Sequence, residues 1–174
     1  MLFDMDQFGV TVRPIKLISG SSPFCETFFE NARAEKRNLI GDLGNGWTIA
    51  KYLLTHERAM ISSFGAVPGT PPWKLAIDTF DKDSSGRLSN GILRQALAQY
   101  QLDAMAFAAT MSRIADEITT GQGLGAGSSI FKYYGTELNK RRNELNMACG
   151  GEPALGWEGD GGAVARAWLR SKGN

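Results

Sequence analysis

The chain has 174 residues, of which 43% are hydrophobic and 21% charged, and its formal net charge is +1 at pH 7. This composition predicts a globular protein with one ordinary domain or two small ones. The near-neutral charge gives no indication of nucleic-acid or membrane-surface binding. No apolar run is long enough to cross a bilayer, and no secretory signal is visible at the start. We therefore expect a cytoplasmic protein without membrane insertion.

Residue types that commonly ligate metals are scarce in this chain. His56 is the one histidine, and the two cysteines, Cys25 and Cys149, are far apart in sequence. This spacing matches neither a metal cluster nor a disulfide framework. A single histidine also disfavours multi-histidine metal sites and histidine-based catalytic triads. The sequence therefore predicts no metal site.

The first 45 residues have an extended character. Residues 9–18 are rich in β-branched side chains and lead into a turn-like segment at 19–23, and residues 24–30 are a second strand candidate. Two or three strands cannot form a stable sheet alone. We expect them to pack on helices or to be completed by strands elsewhere.

From Gly46 onward the pattern is helical. Predicted helices cover residues 46–64, 73–80, about 90–119, from Ser128 or Ser129 to about Ala148, and about 163–171, and the segment 65–72, rich in proline and glycine, breaks the first from the second. Helices of 25–30 residues usually pack lengthwise in antiparallel bundles. The predicted fold class is therefore mainly α, an antiparallel helical bundle preceded by a small β-strand remnant.

The first helix carries the strongest indication of chemistry. Its apolar residues follow one another at three- and four-residue steps and share one face: Trp47, Ala50, Leu54, Ile61 and Phe64. Glu57 stands in the position that completes this stripe. A carboxylate in an apolar stripe costs free energy unless it has a partner or a chemical task. Glu57 is either a functional residue or an ordinary helical carboxylate paired with a basic neighbour.

Two further segments are similar to ligand-binding loops. Residues 80–89 resemble an EF-hand loop, with Asp81 and Asp83 at its first and third positions, but Ile92 replaces the bidentate acid at the twelfth. We interpret this segment as a polar connection that N-caps the long helix, without tight calcium binding. The glycine-rich residues 156–162 lack the spacing of nucleotide-binding loops, which favours a connector.

Four segments, in chain order, carry a resemblance to one family. They are residues 9–15 (GVTVRPI), 28–33 (FFENAR), 38–58 (NLIGDLGNGWTIAKYLLTHER) and 128–138 (SSIFKYYGTEL). They resemble a strand of the middle β-domain, the junction, and a helix of the C-terminal domain in acyl-CoA dehydrogenases. The resemblance implies that residues 1–44 end the middle β-domain and residues 45–174 form most of the C-terminal bundle. It also implies that further parts of the family's architecture lie outside this chain.

The resemblance implies FAD-dependent α,β-dehydrogenation of an acyl-CoA thioester, in which a carboxylate takes the α proton and the flavin accepts a hydride. Some members carry this base on the first helix of the C-terminal domain, at the position that Glu57 resembles. Arg58 matches an arginine of that helix and is implied to support the site wall; a surface salt bridge is its alternative.

The same resemblance implies the partners. They are an acyl-CoA substrate, an electron-transfer flavoprotein or similar acceptor, and other subunits in a homo- or hetero-oligomer. The chain by itself is not expected to be active, because most of the flavin-binding domain lies outside it. The alternative is a non-catalytic helical interaction subunit or a degenerate remnant of such an enzyme, whose exposed apolar faces would drive association.

Overall fold

The computed structural model describes residues 1–63, 71–120 and 127–173. The chain forms two compact units, Met1–Glu57 and Arg58–Asn174. The elements in the described part are β1 (Val10–Ile15), β2 (Phe24–Phe29), α1 (Gly46–Ser63), α2 (Pro72–Thr79), α3 (Gly91–Thr119), α4 (Gly127–Gly150) and α5 (Gly159–Ser171), with short 3₁₀ turns at Lys36–Asn38 and Glu152–Leu155. This content confirms the predicted mainly helical class.

An antiparallel pair of strands forms the sheet of the first unit. Val10 lies opposite Phe29, and Ile15 lies opposite Phe24. Gly9 precedes β1 with a φ of 84°, and a Cβ atom there would lie 2.2 Å from the carbonyl oxygen of Glu30, so the turn into the sheet requires glycine. No other described strand pairs with β1 or β2. Both outer edges of the pair therefore keep unpaired backbone groups.

The helix α1 begins at Gly46, as predicted, and runs to Ser63. The predicted end at Phe64 and residues 65–70 of the predicted break at 65–72 lie outside the described residues. Its large apolar side chains are exposed over the first three turns. Trp47 is 71% exposed, Leu53 59% and Leu54 44%. The predicted stripe exists as a shared helical face, and two of its members in the first unit, Trp47 and Leu54, are exposed, whereas Ala50 is half-buried.

The second unit is a helical bundle centred on α4, which contacts α2, α3 and α5. Helices α3 and α4 run antiparallel, because Phe107 of α3 meets Tyr134 near the start of α4 while Asp103 pairs with Arg141 further along it. The core is a cluster of buried residues from α2, α3 and α4: Ala76, Leu93, Leu97, Leu145 and Cys149. This packing confirms the predicted antiparallel bundle.

Two helix starts illustrate what the sequence pattern could and could not locate. The long helix was predicted to begin at about Asn90 and to be capped by residues 80–89. In the structure Asn90 itself caps α3, with its Oδ1 accepting a hydrogen bond from the Leu93 amide at 3.0 Å. Helix α5 begins at Gly159, four residues before the predicted start. The prediction missed these residues because several of them are glycines, which are poor helix formers and gave no helical pattern. Gly162 is required there, since a Cβ atom would lie 1.9 Å from the carbonyl oxygen of Trp157.

The two cysteines lie in contrasting environments, and this difference gives a chemical test of the bundle core. Cys149 is fully buried on α4, and burial raises the pKa of its thiol to about 11, whereas Cys25 is exposed on β2. Because the thiolate is the reactive form, we expect an aromatic disulfide reagent at neutral pH to label only the exposed Cys25 rapidly in the native chain. Cys149 should react only after unfolding. Rapid labelling of a Cys25→Ser variant would contradict this packing.

Candidate active site

The candidate base Glu57 lies on α1 with its side chain exposed. It makes no hydrogen bond or ion pair with another described residue. The stripe that it completes is itself exposed at Trp47 and Leu54, so this carboxylate is not stranded in an apolar environment within the first unit. A carboxylate becomes a strong base when water is removed from it. A base at this position would therefore need residues that cover α1 and remove water from it.

The residues on either side of Glu57 in the sequence are His56 and Arg58. The backbone of Arg58 continues α1, but its side chain lies outside the described residues, so its supporting role stays a prediction. His56 directs its ring to Tyr52, with the ring centroids 4.6 Å apart and an interplanar angle of 71°. This edge-to-face contact along the helix gives His56 a packing role one turn from its partner.

An apolar hollow of about 360 Å³ lies beside the first turns of α1, within the first unit. Its wall combines the segment before the helix with the helix itself, and its lining includes Leu39, Ile40, Leu43, Ile49 and Leu53. Leu53 precedes Glu57 by four residues, so the two side chains are neighbours on one helix face, with Cβ atoms roughly 5–6 Å apart. An apolar cavity thus lies one helical turn from the carboxylate.

The residues that line this hollow were not predicted as site residues. The available signal was the apolar run Leu39, Ile40 and Leu43 immediately before the glycines at 44 and 46. Gly44 turns the chain, with a φ of 83°, so that the run folds back beside α1. Such a fold-back depends on tertiary contacts that periodicity does not encode.

A second cavity, of about 570 Å³, lies between α3, α4 and α5 in the second unit and is polar. Its charges are paired: Asp103 with Arg141 at 2.7 Å, Glu144 with Lys172 at 2.6 Å, and Glu137 with Lys140 at 2.5 Å. Opposite charges in contact cancel the field that would attract a charged ligand. The first pair joins α3 to α4, the second joins α4 to the end of α5, and the third lies within α4.

FAD, the cofactor that the resemblance implies, carries a diphosphate, which proteins often hold at the N-terminus of a helix. The glycine-rich segment before α5 does not fit this group. Arg166 already donates to the carbonyl oxygen of Trp157 at 2.6 Å, and Glu158 stands at the N-cap, where a carboxylate repels an anion. The predicted connector is correct for residues 156–158 only, because the structure places residues 159–162 in the first turn of α5.

Within residues 1–63, 71–120 and 127–173, no group of three or more histidine, cysteine, aspartate or glutamate side chains could hold a metal ion. No helix in the same part of the chain is both long and apolar enough to cross a membrane.

Residues 44–174 match the family model described as the acyl-CoA dehydrogenase C-terminal domain. The chain belongs to the acyl-CoA dehydrogenase family. Acyl-CoA dehydrogenase FadE34 of Mycobacterium tuberculosis is 31% identical over 153 residues, which cover 84% of this chain and 20% of that protein. Acyl-CoA dehydrogenase IpdE1 of Mycolicibacterium smegmatis is 43% identical over 65 residues, 37% of this chain and 16% of that protein.

Solved structures share this fold. A structure described as the Tcur3481-Tcur3483 steroid ACAD superposes with a TM-score of 0.76 at 19% identity, over 97% of this chain and 44% of that chain. The ChsE4-ChsE5 complex from Mycobacterium tuberculosis superposes with a TM-score of 0.67 at 20% identity, over 94% and 44%. The 174-residue chain therefore spans less than half the length of each of these relatives. The family predicted from the sequence is confirmed.

Proposed function

We propose that this chain supplies part of an FAD-dependent enzyme that removes hydrogens from the α and β carbons of an acyl-CoA thioester. One observation carries the proposal: Glu57 lies one helical turn from the apolar hollow, on a helix inside the matched segment 44–174. A carboxylate beside an apolar cavity can accept a proton from a carbon whose attached chain is apolar. That is the geometry that α-proton abstraction needs.

In this proposal Glu57 is the base that accepts the α proton. The thioester carbonyl makes that proton acidic, and removal of water from α1 by the rest of the enzyme raises the basicity of the carboxylate. Arg58 supports the wall of the site through charge-assisted hydrogen bonds. A flavin held by the rest of the assembled enzyme would supply the acceptor for the hydride of the β carbon.

We assign residues 1–44 to the end of the middle β-domain and residues 45–174 to the C-terminal helical bundle. Two features support the need for residues outside this chain: the unpaired edges of β1 and β2, and the exposed apolar face of α1 at Trp47 and Leu54. The segment before α5 does not fit a diphosphate. FAD would accordingly be held mainly by those other residues.

The proposed partners are other subunits and a soluble electron acceptor of the electron-transfer flavoprotein type. A complex of two different chains is supported by one structural relative, the ChsE4-ChsE5 complex. A homo-oligomer is the other arrangement. Mass measurement of the purified enzyme, with and without candidate partner chains, distinguishes the two.

A first test uses this chain by itself. Because residues outside it are proposed to hold the cofactor, we expect the purified chain to lack flavin absorbance and to leave acyl-CoA unoxidised when FAD is added. Co-expression with a chain that supplies the proposed flavin-binding residues should give a yellow protein. Stoichiometric FAD on the chain alone would contradict the proposed division of the site. A colourless assembly of normal size would instead support the non-catalytic interaction subunit.

A further inference from the structure

The segment that resembles a calcium loop folds as a small hairpin. Lys82 and Leu88 form an antiparallel bridge, and the Asp83 amide donates to the carbonyl oxygen of Arg87 at 2.7 Å. The Gly86 amide donates to the Asp83 carbonyl oxygen at 2.9 Å, and Gly86 has a φ of 77°. A turn followed by a left-handed glycine is the usual form of a three-residue hairpin. The loop thus closes through its own backbone.

Groups that would bind a cation in an EF-hand are engaged by the chain itself. Asp83 Oδ1 accepts three hydrogen bonds, from the Ser85 hydroxyl at 2.6 Å, the Ser85 amide at 2.9 Å and the Arg87 amide at 3.0 Å. These bonds, the Ser85 hydroxyl first, lower the pKa of Asp83. The Arg87 carbonyl stands at the seventh loop position, which supplies a backbone ligand in EF-hands. Here it accepts the Asp83 amide instead.

Arg94 links this hairpin to the first turns of α3. Its Nη1 donates to the carbonyl oxygen of Leu88 at 2.7 Å and lies 3.8 Å from Asp83 Oδ2. The Arg94 backbone amide bonds to the carbonyl oxygen of Asn90, the residue that caps the helix. One guanidinium therefore contacts a carboxylate and a carbonyl oxygen of the loop, two ligand types that calcium prefers.

We propose that Arg94 takes the place of the divalent cation in this EF-hand-like loop and holds the hairpin against the start of α3. The loop keeps its fold without metal. It also fixes where α3 begins, and with it the placement of Leu93 and Leu97 in the bundle core. This inference does not depend on the proposed enzymatic reaction.

Amide hydrogen exchange of the 174-residue chain tests the proposal. An Arg94→Gln variant loses charge-assisted bonds, so exchange of the Arg87 and Leu93 amides should become about tenfold faster. An Arg94→Lys variant keeps the positive charge and should retain most of the protection. An Arg113→Gln variant, which removes an exposed α3 arginine paired with Glu117, should leave both amides unchanged.

Calcium provides the second arm of this experiment. Millimolar calcium chloride should leave the exchange of the Arg87 amide unchanged in the unaltered chain, because the loop already contains its cation. Slower exchange on adding calcium would overturn the proposal. It would also be overturned if Arg94→Gln exchanged at the rate of the unaltered chain, or if Arg94→Lys lost as much protection as Arg94→Gln.

Discussion

Replacing Glu57 by glutamine in the assembled enzyme should slow acyl-CoA-dependent bleaching of the flavin by about 100- to 10,000-fold, the usual contribution of a general base. Glutamine has nearly the shape of glutamate but cannot accept the α proton. Because Glu57 is exposed on α1 and makes no contact with another described residue that the change would break, folding should be unaffected. Anaerobic stopped-flow absorbance of the flavin band measures the rate directly.

Two control variants separate loss of the base from general damage. Glu57→Asp keeps a carboxylate on a shorter side chain and should retain a measurable part of the rate. Glu117→Gln changes a glutamate on α3, where its partner is the surface residue Arg113, and should bleach like the unaltered enzyme. Bleaching at the normal rate in Glu57→Gln would place the base elsewhere and favour the non-catalytic role of α1.

Replacing Leu97 by alanine should lower the free energy of unfolding of the second unit by about 2–5 kcal/mol, the range for a leucine truncated in a packed core. Leu97 is 6% exposed and belongs to the cluster in which α2, α3 and α4 meet. The change removes apolar contacts and leaves a cavity that the neighbouring helices fill only in part. Urea unfolding of this chain followed by circular dichroism measures the loss.

Leu102 offers a matched control on the same helix, since it is 62% exposed. A Leu102→Ala variant makes the identical chemical change without creating a cavity and should stay within about 0.5 kcal/mol of the unaltered chain. Equal destabilisation by the two variants would show that the core is not the one formed by Leu97.

The sequence predicted the helical elements well because long amphipathic helices repeat their signal over many turns. The 29-residue α3 was predicted to within about one residue, since Asn90 marks its start and its apolar positions recur at regular steps. The start of α5 was missed because its first residues include glycines, which carry no helical signal. Gly162 is there for its close approach to Trp157, a tertiary constraint that periodicity cannot express.

The candidate site was predicted only in part. Periodicity placed Glu57 on the face shared by Trp47 and Leu54. The same apolar pattern is expected whether other residues of this chain or residues of a different chain bury that face. In the structure Trp47 and Leu54 of this face are exposed. Nor could the sequence show that Leu43 folds back beside Leu53 to form the hollow, because their meeting depends on the turn at Gly44. Arg94 was overlooked since its partner groups lie in the preceding loop.

Deuterium exchange at the α carbon of an acyl-CoA bound to the assembled enzyme, measured by mass spectrometry, tests most directly whether Glu57 is the base. This measurement isolates proton abstraction from hydride transfer and from the electron acceptor. We expect rapid incorporation of solvent deuterium by the unaltered enzyme and a rate at least 100-fold lower in Glu57→Gln. Incorporation at the same rate in both would contradict the assignment of Glu57 as the base.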